Sequence, residues 1–317
     1  MCKTLVFLLV LSFTVAASAQ QVSSTANKSQ KDDLGWTSSM SLDGNVDSTQ
    51  RVFNLNSSVG YNFTKHWGAD IGVPFEFITS SISTTTTTTT PSGTGKGSST
   101  ASSFSTSTTT STLNSIGNVF ADLRFKAKGS VANYTSSIIA SLPTGSKVNG
   151  ISTGRVTGGW NNHLEHDFGL VTPFIEAGVG NSVADSRLYH RPFTSLGFVS
   201  QFTGGTTIDL SHNFSVGVSL YDVLPSGQQK IYSKLVARGS SQAVGKGTHG
   251  RGYELTAESI GTSALARDNG NSAWVDYSPG AFDIQVGYTH SVHYAENTFA
   301  FSTGVNLGKL MKKTAGY

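Results

Sequence analysis

The sequence predicts an all-β fold, an antiparallel up-and-down β-barrel of about twelve strands. Three observations carry this. First, residues 282–308 alternate: Phe282, Ile284, Val286, Tyr288, His290, Val292 and Tyr294 on one side, Asp283, Gln285, Gly287, Thr289, Ser291 and His293 on the other. Period two over such lengths means strands. Second, the polar face is made of small residues and lacks the bulk of a sandwich core. It suits the wall of a water-filled lumen with lipid outside. Third, short turns and long connections alternate along the chain. With runs nearer eleven residues than the roughly six usual in globular proteins, these features favour a transmembrane barrel of the bacterial outer-membrane type over a secreted sandwich.

The elements follow in order. Residues 1–19 read as a signal peptide: Lys3, an apolar run from Leu5 to Val15, and a small-residue cleavage site at Ala17-Ser18-Ala19. Residues 20–33 are polar and without period, a flexible periplasmic segment. The barrel is expected over 34–308, with strands at 34–42, 51–63, 67–77, 113–128, 131–142, 155–166, 170–180, 195–210, 214–224, 271–277, 282–294 and 298–307. Pro74 removes a ladder bond and implies a bulge or an edge-like site. Residues 79–112 are a Ser/Thr-rich tract whose only charge is Lys96. Unable to pack a core, it is expected as a long extracellular loop. Residues 225–269 are expected as a second long extracellular loop, and 309–317 as a C-terminal tail. The Asn181–Thr194 stretch is assigned to a loop on the same rim.

Composition excludes several functions. Charged residues are 13% of the chain, about half the usual ~25%. No basic stripe with interleaved aromatics offers a nucleic-acid surface. The only cysteine, Cys2, lies in the leader, which excludes disulfide and thiol chemistry from the remainder. No nucleophile elbow and no His-Glu-x-x-His motif is present. His163 and His166 fall on opposite faces of a strand, as do His290 and His293, so neither pair chelates one metal. No enzyme activity and no cofactor are expected.

The stretch 141–181 contains Leu142-Pro143-Thr144-Gly145 and Ser152-Thr153-Gly154-Arg155. A strand, a turn and a strand opening near Pro173-Phe174 and closing at Gly180-Asn181 follow. With Phe120-Ala121-Asp122-Leu123 and Lys126 upstream, it resembles the outer-membrane barrel family labelled "MetA-pathway of phenol degradation". The resemblance implies a transport barrel for small compounds, aromatic ones among them. The tract at 79–112, the connection after Pro225 and a last strand without a terminal aromatic depart from that pattern.

The sequence supports an outer-membrane barrel that passes small solutes. Its partners are the lipid bilayer, the solute and the outer-membrane assembly machinery. The alternative is a closed structural or adhesin-type barrel whose surface loops bind partners. By strand parity the candidate lumen-lining residues are Glu76, Phe120, Asp122, Arg124, Lys126, Arg155, His163, Phe174 and Glu176, with Asp70 beside them. The mixed charges imply weak charge selectivity. Trp67, Trp274 and Tyr277 are the candidate interfacial aromatics.

Overall fold

The computed structural model describes residues 34–46, 50–91, 100–234, 256–307 and 310. The expected signal peptide, the segment 20–33 and all but Leu310 of the 309–317 tail lie outside them. Fourteen strands form one antiparallel sheet. They are β1 (Gly35–Val46), β2 (Gln50–Asn62), β3 (Trp67–Pro91), β4 (Thr100–Ile116), β5 (Phe120–Lys128), β6 (Asn133–Ser141) and β7 (Thr157–Glu165). Then follow β8 (Val171–Gly180), β9 (Phe193–Ser211), β10 (Phe214–Ser233), β11 (Glu258–Gly261), β12 (Asp268–Tyr277), β13 (Phe282–Ser291) and β14 (Glu296–Asn306). Twelve of them close a ring, because β14 pairs with β1 and β10 pairs with both β9 and β12. Strands β4 and β11 add to the long-connection rim, beside β3 and β10 respectively.

Closure satisfies the backbone of the wall, so the two parities sort by polarity. Val286 is 58% exposed and Val218 54%, while their neighbour Gln285 is 2% exposed. On β3 the outward set runs Trp67, Ile71, Phe75, Phe77, all exposed. At ~3.3 Å per residue and a tilt near 40°, Trp67 to Phe77 spans about 25 Å, the height of an apolar membrane band. Its lower edge is aromatic. The ring centroids of Trp36 and Tyr61 lie 5.3 Å apart, those of Trp67 and Phe125 5.0 Å, and those of Phe214 and Tyr277 6.0 Å. Trp67 and Tyr277 therefore face outward beside the short turns. Among the described residues no helix is long and apolar enough to cross a membrane.

The structure revises several expectations. The strand expected at 113–128 is interrupted. Gly72 pairs with Phe120 and Phe75 with Ile116, so residues 117–119 oppose only Val73 and Pro74. The extra residue is a bulge beside the proline, and the Gly117 N–H donates to the Pro74 carbonyl at 2.8 Å. Within the Ser/Thr tract β3 and β4 stay paired from Ser81–Thr110 to Pro91–Thr100, and residues 92–99 lie outside the described part. Likewise β10 continues to Ser233, well past Pro225, and residues 235–255 lie outside the described part. Strand β13 ends at Ser291, and the tight connection is 292–295, with Ala295 at φ 51°.

Trp274 is a correction. It is 5% exposed and turns inward, its ring where a Cβ on Gly217 would sit. The outward set of β12 is Asn271, Ala273, Val275 and Tyr277, so Trp274 belongs to the interior parity with Ser272.

Placing arginine at Val286 or Val218 should cost ~2–4 kcal/mol of folding free energy in bilayers. Ser39 has interior parity yet is exposed, so Ser39→Arg should cost little. Denaturant titration of refolding into vesicles measures all three, and equal costs would contradict the assignment of faces.

Candidate functional site: a connection folded into the lumen

Twelve strands enclose more space than wall side chains can fill; eight is about the filled limit. In the short-turn half the inner wall carries small polar groups and paired charges: Ser39 and Ser58 share a 2.7 Å hydrogen bond, and Arg124 pairs with Asp70. In the other half, two connections fold inward. The first is 142–156. Its Ile151 packs with Val52 and Ile78, and Thr194 Oγ1 donates to the Gly150 carbonyl at 2.6 Å. The second is 181–192, between β8 and β9. It reads NSVADSRLYHRP, and Val183, Ala184, Arg187, Tyr189, His190 and Arg191 are buried.

Polar contacts from several wall strands seat it. The Arg187 guanidinium lies 2.5 Å from Asp283 and 3.7 Å from Asp43, and its Nε donates to Ser302 Oγ at 2.7 Å. Asn45 Nδ2 donates to the His190 carbonyl at 3.0 Å, and Asn54 Nδ2 lies 2.9 Å from His190 Nδ1. The Tyr189 hydroxyl donates to Glu296 at 3.3 Å. Arg191 lies 3.7 Å from both Asp185 and Asp268. Lys234, just past β10, reaches Glu76 at 3.2 Å and Asp185 at 3.8 Å. Buried charges are tolerated when paired in this way.

The electrostatics follow from this packing. Burial pushes the Asp185 carboxyl up, but Lys234, His190 and Arg191 outweigh it and hold the group down at about 2. Burial alone would lower the Lys234 ammonium. Glu76 and Asp185 instead raise it above ordinary lysine. Burial and the Glu296 carboxylate push the Tyr189 phenol well above its ordinary value, so it remains a donor.

Beneath the connection lies a cavity of about 80 Å³, lined by Phe174, Leu188, Tyr189, Tyr221, Trp274 and Gln285, among others. The Phe174 and Trp274 ring centroids are 6.3 Å apart. Phe174 also stacks on His163 at 5.5 Å.

Most candidates from the sequence stand on the inner wall, in separate groups. Arg124 pairs with Asp70 at 2.9 Å and Asp122 at 3.8 Å. His163 lies between Glu176 at 2.8 Å and Glu165 at 3.3 Å. Phe120 lies over Gly72, where any Cβ would meet its ring, and Lys126 is half-buried on β5. Glu76 joins the 181–192 group through Lys234. Arg155 does not lie on a strand. Strand β7 begins only at Thr157, and Arg155 is exposed in a turn where its N–H donates to Thr153 Oγ1 at 3.2 Å.

Sequence reasoning missed Asp43, Asp185, Arg187, Tyr189, His190, Arg191, Lys234, Asp268 and Glu296. One signal was available. Residues 185–193 (DSRLYHRPF) concentrate charge and aromatic groups in a chain otherwise poor in charge, unlike the Gly/Ser-rich connection before it. Among the described residues no group of three His, Cys, Asp or Glu side chains is placed to hold a metal ion.

No protein-family model matches the chain, and no curated protein is similar to it. Several solved structures resemble its fold. A NanC porin structure is 10% identical over 84% of this chain and 98% of that one, with a TM-score of 0.43. An outer membrane channel from Pseudomonas putida F1 is 9% identical over 86% and 95%, with a TM-score of 0.46. A FadL homologue from Pseudomonas aeruginosa is 7% identical over 86% and 75%, with a TM-score of 0.41.

Arg187→Ala leaves Asp43 and Asp283 without this partner, a loss of about 3–5 kcal/mol for a broken buried pair. Hydrogen exchange over 182–192 should quicken while the barrel strands stay protected. Asp185 sets an acid limit. Its folded value is depressed, so its contribution is complete above the ordinary 3.8 and is lost as pH falls through about 2. Exchange over 182–192 should therefore be insensitive to Asp185→Asn near pH 2 and quickened by it at pH 5 and above. An equal effect at both would contradict the pairing.

Proposed function

We propose that the chain is a channel of the bacterial outer membrane that passes small solutes, narrowed by its own 181–192 connection. The supporting observation is a closed wall that is apolar outside, polar inside, and entered in its long-loop half by two connections, of which 181–192 is seated by buried ion pairs. Export through the leader at 1–19 and insertion by the outer-membrane assembly machinery belong to this reading. The rings of Phe174, Tyr189, Tyr221 and Trp274 beside Gln285 favour hydrophobic or aromatic solutes, in line with the resemblance to the phenol-degradation barrels. An apolar cavity that takes benzene is about 150 Å³. The 80 Å³ beside these rings is smaller, so the connection has to yield for a ring to be held there.

The carboxylates of Asp43, Asp185, Asp268, Asp283, Glu76 and Glu296 outnumber the cations Arg187, Arg191 and Lys234 that seat the connection. The channel should therefore lean modestly towards cations. A second reading, a closed barrel with a structural or adhesive role, is favoured by the number of buried pairs holding the connection.

Planar-bilayer recording of the refolded chain, residues 20–317, separates the two. Small discrete steps, with a reversal potential shifted slightly towards cations in a salt gradient, are expected. Insertion without steps under any applied voltage would favour the closed barrel.

A further inference from the structure

The cavity beneath the 181–192 connection is lined from two sides. The connection supplies Tyr189 and Arg191, and the wall supplies Phe174, Tyr221, Trp274 and Gln285. Several polar side chains around it already have partners. The Tyr189 hydroxyl donates to Glu296 and the Tyr221 hydroxyl to Asp268, each at 3.3 Å. Glu176 lies 2.8 Å from His163, and Ser272 Oγ 2.8 Å from Thr289 Oγ1. By contrast, Gln285 is 2% exposed and Arg191 4%, and among the described residues neither Gln285 Oε1 nor Arg191 Nε has a hydrogen-bond partner. One is an acceptor and the other a donor, and burying either without a partner is unfavourable.

We infer that this cavity is a subsite for the polar end of a small neutral solute, an alcohol or a primary amide. The solute's donor meets Gln285 Oε1 and its acceptor meets Arg191 Nε once the connection yields to admit it. The inference rests on reading the cavity as a solute site. It is tested through binding, whereas passage is tested through conductance. A barrel that binds without conducting overturns passage alone, and one that conducts without binding overturns the subsite alone.

Charge decides for a neutral solute. The Arg191 guanidinium lies 3.7 Å from both Asp185 and Asp268 and rests 5.2 Å over the Tyr189 ring. Its charge is therefore already met, and Glu176 is engaged by His163. An anion or a cation entering here would be buried without a counter-charge of its own, which is costly. A neutral donor and acceptor meets both open atoms and leaves the ion pairs intact. Size and lining agree with this. About 80 Å³ is room for two or three waters at about 30 Å³ each, or for the end of one organic molecule. The Phe174 and Trp274 rings offer its carbon skeleton an apolar surface, the usual pairing of apolar walls with a few placed polar groups.

The test uses the refolded chain, residues 20–317, in lipid nanodiscs with nitrogen-15 in the tryptophan indoles, followed by NMR. Trp274 reports from the cavity wall, and Trp274→Phe identifies its signal. Trp36, Trp67 and Trp160, exposed on the outer face, report solute that has merely dissolved in lipid. The probes are 2-propanol, acetamide and acetone, which share one carbon skeleton in size and shape; acetone keeps the acceptor and lacks the donor. 2-Propanol and acetamide should shift the Trp274 signal saturably, at concentrations about tenfold lower than acetone, the worth of one buried hydrogen bond. Gln285→Met removes the acceptor at similar length and should abolish that preference. If this variant gives no folded, heat-modifiable band, the wild-type comparison decides. The inference is overturned if acetone matches the other two in the wild type, or if the folded Gln285→Met variant keeps the preference. It is also overturned if no probe moves the Trp274 signal, so that water alone serves the two atoms, or if that signal moves only together with the outer tryptophans.

Discussion

The closed ring of backbone hydrogen bonds is the constraint on which the rest depends. Once β9 pairs with β10 and β14 with β1, the wall has no free edge to satisfy. Each strand then has two faces with opposite requirements. The outward face meets hydrocarbon, so Val218, Ile284, Val286 and Phe299 are tolerated there without partners. The inward face holds Asp, Glu, Arg, Asn and Gln, and a ring of this size leaves space between them. That space is what the connection 181–192 occupies.

The interior solution is electrostatic rather than hydrophobic. A small apolar cluster of Val183, Phe193, Val199, Val223 and Ile231 anchors one end of the connection. The remainder is held by Arg187, Arg191 and Lys234 against carboxylates from β1, β3, β12 and β13. Such pairs contribute little net stability against an apolar alternative, but each is expensive to break singly. They fix one position for the connection while keeping the lumen polar. The same arrangement places Tyr189 opposite Phe174 and Trp274 around a small cavity, where a solute would meet rings and hydrogen-bonding groups together.

Local pattern was legible in the sequence; long-range pairing was not. The alternation of Phe282 to Val286 is a property of adjacent residues and located β13 directly. Pro74 pointed to a bulge or an edge-like site, and the structure has the bulge, on the neighbouring strand at 117–119. Trp274 was misplaced to the outer face because an aromatic on a short strand reads as a membrane anchor; the space for its ring is made by Gly217 on another strand. Arg155 was counted into β7 because alternation cannot tell a strand from the turn before it. The threonine tract looked unstructured because it cannot form a core, yet backbone pairing does not require one. The seating of Arg187 was hidden most deeply: its partners Asp43, Asp283 and Ser302 are scattered through the chain, the last 115 positions away. Only closure of the ring brings them together.

The role proposed for residues 181–192 is to set the width of the lumen. The most direct measurement compares single-channel conductance of the wild type with that of Arg187→Ala, at equal insertion and equal salt. Larger steps in the variant, or steps where the wild type has none, are the predicted result. Identical conductance in the two, with exchange over 182–192 shown to have quickened, would rule out that role.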